Sequence, residues 1–260
     1  MILNQNTAVA TQQVLLVPYE TQHVGKYHSW MQDARVREAT ASEPLSLEEE
    51  YENQVVWRLA KDKLTFIVCE AIGSESENNE DQARAKDEFG GTRDGGMLAS
   101  VQAGVCDTQV QMRGDVNLFL YPDQDDESCR GVVGEVDVMI AATEHRGRGL
   151  GIGAVRALLG YVVRNVDALM AEYQGGQNSK SQGVESGSAQ SPPDDSKAEL
   201  RGFMVKIGQN NHASRALFAK VGFKERGQVD YFGEVTMVMA WEDVVDKAAG
   251  KEYREMKYSR

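Results

Sequence analysis

Short apolar runs alternate with amphipathic stretches along this chain, and two long polar segments interrupt them. Val14-Leu15-Leu16-Val17, closed by Pro18, reads as a short strand. Between His23 and Met31, the residues Tyr27, Trp30 and Met31 share one side of a predicted helix. Ser46 and Glu49 have capping-box spacing at the head of a second helix, whose inward residues are expected to be Leu47, Tyr51, Val55 and Leu59. Leu64–Cys69 is almost continuously apolar, as in a strand buried on both faces. Gly114–Leu120, Val132–Ile140 and Gly202–Ile207 predict three more strands, and Gln228–Phe232 with Glu234–Ala240 a final pair. Leu150, Ala154, Val155, Leu158, Leu159, Val162 and Val163 recur at helical spacing, and Ala213–Val221 is a helix stopped by Gly222.

Residues 73–96 and about 174–199 hold almost nothing to bury and are expected to be disordered insertions. Without them the order is strand, two helices, three strands, helix, strand, helix, two strands. That order predicts a single α/β domain with a mixed sheet over residues 1–241. Residues 242–260 form a charged tail, helical or frayed.

An apolar content of 41% supports a substantial core. No run of about 18 apolar residues occurs, so no membrane span is expected. Met1–Asn6 lacks the basic start and apolar stretch of a secretory signal. Cys69, Cys106 and Cys129 are scattered, which argues against a disulfide frame or structural zinc and points to a reducing, cytoplasmic setting. His23, His28, His145 and His212 show no metal-ligand spacing, and Asp123, Asp125, Asp126 and Glu127 read as a solvated turn, not a calcium loop. No metal is expected. The net charge of −12 disfavours nucleic acid. It suits a cationic substrate such as an amine, or serves solubility alone.

The segment Glu144–Gly153 combines alternating glycines with Arg146 and Arg148, between a strand-like and a helix-like run. Glycine lets backbone N–H groups approach a phosphate closely, and the following helix aims its positive dipole end at the same place. The Walker pattern fails because no Lys-Ser or Lys-Thr follows. Gly149-Leu150-Gly151-Ile152-Gly153-Ala154 matches the dinucleotide fingerprint in letters, but Ala141–His145 separate it from the strand, and a polar stretch stands where the second strand belongs.

Arg146-Gly147-Arg148-Gly149-Leu150-Gly151 resembles the pyrophosphate loop of the GCN5-related N-acetyltransferases (GNAT). Lys206–Phe223, with Asn211, Ser214 and Gly222-Phe223, resembles that family's strand, Asn-x-x-Ser helix and Gly-Phe segment. Thr40–Leu45, Gly114–Leu120 and Gly134–Ala141 are similar to the N-acetyltransferase 9 branch. The resemblance implies the GNAT acyl-CoA N-acyltransferase fold and acetyl-CoA as co-substrate. It also implies a protein amine as acceptor, with tubulin amino termini the branch's substrate. Tubulin is acidic, so a local basic patch would be needed against the global charge.

On this resemblance the backbone of Arg146 through Gly151 holds the pyrophosphate, and Asn211 and Ser214 contact the cofactor. The strand before the loop parts from its neighbour, so that Met139, Ile140 and Ala141 pair with pantetheine and offer an N–H to the thioester oxygen. Glu135 resembles the catalytic glutamate, and period two places Asp137 on its face, with Val136 and Val138 on the other. At the position where many relatives carry a tyrosine acid, this chain has Phe218. Ser214, a water or Tyr231 are candidates in its place. The alternatives are a lysine or small-amine acetyltransferase, and a non-catalytic acetyl-CoA-binding module on microtubules.

Overall fold

The computed structural model describes residues 1–72, 100–126, 130–181, 197–247 and 253–260. The first insertion, most of the second, Glu127 and Cys129 lie outside them. The chain opens with strands β1 (Thr7–Ala10) and β2 (Val14–Pro18), then helices α1 (Val24–Met31), α2 (Ala34–Ala39) and α3 (Leu47–Leu59). Strands β3 (Lys63–Glu70), β4 (Ser100–Gln102), β5 (Met112–Pro122) and β6 (Gly131–Ile140) follow, then the long helix α4 (Leu150–Ser181). Strand β7 (Glu199–Gly208), helix α5 (His212–Val221), strands β8 (Lys224–Arg226) and β9 (Glu234–Ala240), helix α6 (Trp241–Lys247) and strand β10 (Arg254–Ser259) complete it. Among the described residues, these ten strands form one mixed sheet in the order β4-β10-β1-β2-β3-β5-β6-β7-β9-β8.

The sheet separates two apolar layers. Leu64, Phe66, Val116, Leu118, Val136 and Phe203 pack on one face against Ala154, Val155, Leu158 and Val162 of α4. Leu15, Val17, Ile67, Cys69 and Met139 pack on the other against Tyr27, Trp30, Met31 and Val36 of α1 and α2. The stripe predicted for α4 is thus the one that docks, and β3 is buried along both faces as its unbroken apolar run requires.

Helix α3 forms where expected, with Ser46 Oγ accepting from the Glu49 N–H and the Glu49 carboxylate from the Ser46 N–H. Its rotation differs from expectation. Leu47, Tyr51, Val55 and Leu59 are exposed, whereas Glu50 and Gln54 are buried. The reason is polar: Gln54 Nε2 donates to the Tyr19 carbonyl at 2.8 Å, and the Arg58 guanidinium donates to that carbonyl at 2.9 Å and to Asn4 at 3.0 Å. Arg58 also pairs with Glu20. Charge-assisted anchors at this spacing, with Trp57 packed against Tyr19 and Tyr27, fix the inward face against the apolar count.

Three other expectations need correction. Helix α4 runs to Ser181, past the predicted boundary at residue 174, with a break at Asn165 where the side-chain amide donates to the Tyr161 carbonyl. Residues 228–232 lie between β8 and β9, so the last hairpin pairs Lys224–Arg226 with β9. Residues 242–260, read as a charged tail, supply α6 and β10, and β10 inserts between β4 and β1. Its alternating Met256 and Tyr258 are buried.

Strands β5 and β6 approach unusually closely at Gly114, where a Cβ would fall 1.8 Å from the Met139 carbonyl oxygen. Gly114→Ala is therefore expected to destabilise the protein by about 2 kcal/mol or more in urea unfolding, because two paired strands must separate to admit a methyl group.

Candidate active site

Strands β6 and β7 run parallel, and their register goes from Gly131↔Glu199 to Glu135↔Met204. Beyond that rung they part. Strand β6 keeps its antiparallel partner β5 up to Gly114↔Ile140, and β7 keeps β9 up to Gly208↔Glu234. The Ala141 N–H donates to the Arg113 carbonyl at 3.0 Å. By the alternation of an antiparallel ladder, Asp137 and Met139 then bond toward β5, and Val138 and Ile140 turn their N–H and C=O groups toward the gap. Of the three residues predicted to meet pantetheine, Ile140 faces the opening, while Met139 and Ala141 face β5. Val138, which was not predicted, joins Ile140.

At the open end of β6 a 3₁₀ turn over Thr143–His145 leads into the glycine loop. Gly147 and Gly149 have φ of 74° and 86°, and a Cβ at either would touch nothing within 4 Å, so glycine is required there by conformation alone. The first backbone bond of the helix is Gly153 N–H to Gly149 O. Among the described residues, no backbone carbonyl accepts from the N–H groups of Gly147 through Ile152. This row of free donors at a helix N-terminus is an anion cradle by construction.

Arg146 and Arg148 differ in role. The Arg146 N–H is already bonded to the Thr143 carbonyl, and its guanidinium donates to the Ile140 and Ala141 carbonyls at 2.8 and 2.9 Å. It clips the loop onto the end of β6. Arg148 is exposed beside the free amides. Leu150 packs against the core below, and a Cβ on Gly151 would fall 2.7 Å from Leu217 in the middle of α5, so the start of α4 packs closely against that helix. Asn211 caps α5 through Oδ1, which accepts from the Ser214 N–H at 3.1 Å. Both residues stand at the head of α5, just past the end of β7.

Glu135 and Asp137 share a face, as expected, and it is the face covered by α1 and α2. Glu135 occupies the vertex rung and Asp137 the next same-face position, already within the gap. Burial pushes the Glu135 carboxyl above the usual glutamate range, Lys206 across the gap opposes this, and Asp137 adds to it. Burial likewise raises Asp137, against the pull of the Val138 N–H and Lys63. Phe218 lies elsewhere: it is 2% exposed and meets Phe223 edge-to-face at 5.1 Å within the core under α4. Tyr231, at 96% exposure, stands out from the β8–β9 turn.

Sequence reasoning missed a second polar layer beside these carboxylates. Thr65, Asn117 and Asp137 lie in one row across β3, β5 and β6, and Lys63, Phe119 and Glu135 in the next. Thr65 Oγ1 donates to Asn117 Oδ1 at 2.8 Å, and Asn117 Nδ2 donates to Asp115 Oδ2 at 2.8 Å. Asp115 is 2% exposed; burial and then the Asp137 charge raise its carboxyl well above the ordinary aspartate value. The signal was present as polar pairs two residues apart in apolar strands, namely Lys63 and Thr65, Asp115 and Asn117, Glu135 and Asp137. Among the described residues, no group of three His, Cys, Asp or Glu side chains is placed to hold a metal, and no helix is long and apolar enough to cross a membrane.

Residues 13–224 match the sequence model of the acetyltransferase (GNAT) domain. The chain belongs to the GNAT family. It is 36% identical over 237 residues to the alpha/beta-tubulin-N-acetyltransferase 9 of Drosophila melanogaster, covering 91% of this chain and 88% of that one. To the Homo sapiens protein of the same name it is 34% identical over 238 residues, with coverage of 91% and 84%. These likenesses place it in the N-acetyltransferase 9 branch of the GNAT family and make it an N-acetyltransferase. Its fold is shared with a Vibrio cholerae spermidine N-acetyltransferase solved with CoA and spermine, at a TM-score of 0.53 and 14% identity, over 90% of this chain and 98% of that one.

The raised aspartates make a stability prediction for this GNAT enzyme. A carboxyl whose folded pKa exceeds its unfolded value near 3.9 imposes no penalty below about pH 4, and its ionisation costs stability as pH rises toward the folded value. Asp137→Asn is therefore expected to gain stability relative to the parent as the pH rises above about 4, with the difference absent below that pH in urea titrations.

Proposed function

We propose that this enzyme transfers the acetyl group of acetyl-CoA to the α-amine of a protein amino terminus. The observation that carries the reading is the parting of β6 and β7 beyond Glu135–Met204, with the free amides of the glycine loop at its open end and two carboxylates at its vertex. The N–H groups of Gly147 through Ile152 hold the diphosphate, with Arg148 adding charge beside it. The gap-facing backbone of Val138 and the Ile140 N–H pair with the pantetheine amides. A donor of this kind aimed at the thioester oxygen is worth roughly 3 kcal/mol in the transition state.

Glu135 serves as the base, supported by Asp137. The ammonium N–H bond breaks toward the carboxylate and its electron pair stays on nitrogen. Nitrogen then bonds the thioester carbon, the C–S bond breaks with its pair leaving on sulfur, and the proton that nitrogen sheds to become an amide passes through solvent to the thiolate. Phe218 cannot protonate that sulfur, and a thiolate of pKa about 8.5 is a fair leaving group unaided. The Drosophila melanogaster and Homo sapiens relatives are named for tubulin, which makes tubulin amino termini the first acceptors to test. The acidic vertex suits any cationic amine, so lysine peptides and polyamines are the comparison.

Calorimetry with acetyl-CoA, followed by CoA release against amino-terminal peptides, lysine peptides and spermidine, tests the reading. Preferred turnover on amino-terminal peptides is expected, and binding with no turnover on any of the three would overturn it. Glu135→Gln should lower kcat at least about tenfold, the lower range of a lost base, while acetyl-CoA affinity holds. Gly149→Ala puts a side chain at positive φ at a cost of about 1–2 kcal/mol, and is expected to weaken acetyl-CoA about tenfold in the same calorimetry.

A further inference from the structure

Two buried polar side chains on the α1–α3 side of the sheet have nothing to bond to. Tyr19, between β2 and α1, is 4% exposed, and its hydroxyl has no hydrogen-bond partner among the described residues. Glu50, near the start of α3, is 3% exposed. Among the described residues its carboxylate has no ion pair or hydrogen bond, and only burial and the charge of His28 act on it. A buried polar group left unpaired costs stability, so two at one place call for a ligand that pairs them. The contacts bring them together. Gln54 Nε2 donates to the Tyr19 carbonyl at 2.8 Å, and Glu50 precedes Gln54 by one turn on the same inward face of α3. The Tyr19 ring stands between Trp57 of α3, at 6.0 Å, and Tyr27 of α1, at 5.3 Å. Tyr27 in turn reaches Asp115 with its hydroxyl at 3.4 Å. In keeping with this, burial raises the Tyr19 hydroxyl, and the charges that raise it further are first Glu50 and then Asp115.

Asp115 stands on β5, the neighbour of β6, at a strand spacing of about 4.8 Å from the edge that lines the gap. Tyr19 lies a further ring contact beyond, so the unpaired groups are on the order of 10 Å from the reacting atoms. The reacting amine must sit at the gap, beside Glu135. A charge that meets Glu50 therefore belongs to the residue behind it, because one Cα step and a long basic side chain span that separation. We propose that Glu50, with the Tyr19 hydroxyl, is a specificity-determining pair that receives a basic side chain at the second position of the acceptor's amino terminus. The proposal rests on the amino-terminal reading of the acceptor and names, within it, the class of peptide the site selects.

The chain's own cations leave this place open. Arg58, from the same side of α3, is committed to Glu20, to Asn4 and to the Tyr19 carbonyl. His28 of α1 acts on Glu50 through its charge alone, and its Nδ1 is itself buried without a partner. Arginine fits such a place, because its planar guanidinium bonds a carboxylate with two N–H groups at once. The net charge of −12 favours the approach of a basic acceptor. A competing account is local: a carboxylate in the first turns of a helix is favoured by the dipole with no ligand at all. That account leaves the Tyr19 hydroxyl unexplained.

Two amino-terminal peptides, identical except for arginine or citrulline at the second position, test this. Citrulline keeps the shape and removes the charge. With acetyl-CoA, the parent enzyme is expected to favour the arginine peptide about tenfold in kcat/KM, the scale of one charged hydrogen bond. In Glu50→Gln that ratio should fall to about one, with acetyl-CoA affinity unchanged in calorimetry. Glu50→Asp, which keeps the charge, should retain part of the preference. Tyr19→Phe removes a hydroxyl that bonds nothing in the free protein, so its urea midpoint should not fall, while the ratio drops severalfold. A folded Glu50→Gln protein that keeps the parental ratio, including one that loses activity on both peptides alike, would overturn the proposal. If that variant does not fold, an undiminished ratio in Tyr19→Phe has the same force. A parent that acetylates neither peptide removes the amino-terminal reading and this one with it. A parent that acetylates both equally well refutes only the role of Glu50 and Tyr19.

Discussion

The molecule depends on two parallel strands ceasing to pair halfway along their length. Buried backbone groups must find partners, so a gap in the middle of a sheet is costly unless each strand is held from outside. Both are. Strand β6 remains zipped to β5 as far as Ile140, and β7 to β9 as far as Gly208, while the mutual ladder ends at Glu135 and Met204. The opening is therefore a stiff notch whose inner edges carry unspent hydrogen-bonding capacity. The loop after β6 and the helix after β7 both begin at the wide end of this notch, which is why the free amides and the Asn211 cap converge there.

The two faces of the sheet meet different demands. Under α4 the contacts are apolar and their helical spacing was readable residue by residue. Under α1 and α2 the strands carry polar side chains at alternate positions, and burial of such groups is tolerated only where they bond to one another. Thr65, Asn117 and Asp115 do so in sequence across two strands. This arrangement keeps ionisable groups in a poorly solvated layer, where a charge on one is felt strongly by the next.

What the chain disclosed in advance was whatever is local. The Ser46–Glu49 cap, the β3 run, the α4 stripe and the glycine loop are all fixed by neighbours a few residues apart, and the family resemblance agreed with the order of elements. The rotation of α3 was hidden because its anchors, Gln54 and Arg58, bond to carbonyls and side chains in the segment before α1, which no periodicity reports. The second polar layer was hidden for a related reason. A lone Asp115 or Lys63 in a strand reads as an edge facing water until the register sets one beside the other. Phe218 was legible as a residue without a proton, and its burial against Phe223 shows it working as a packing group.

The position of β10 has a consequence for how the chain reaches its shape. Thr7 pairs with Lys257, so one of the earliest strands waits for one of the latest before its second edge is covered. Contacts of such sequence separation are slow to form, because a long loop must close first. During synthesis β1 and β2 emerge with an unpaired border, and the sheet between β4 and β1 is completed only once residues 254–259 are available. An intermediate with that border open is the species most exposed to wrong pairing, and a folding helper that shields a strand edge would act on it.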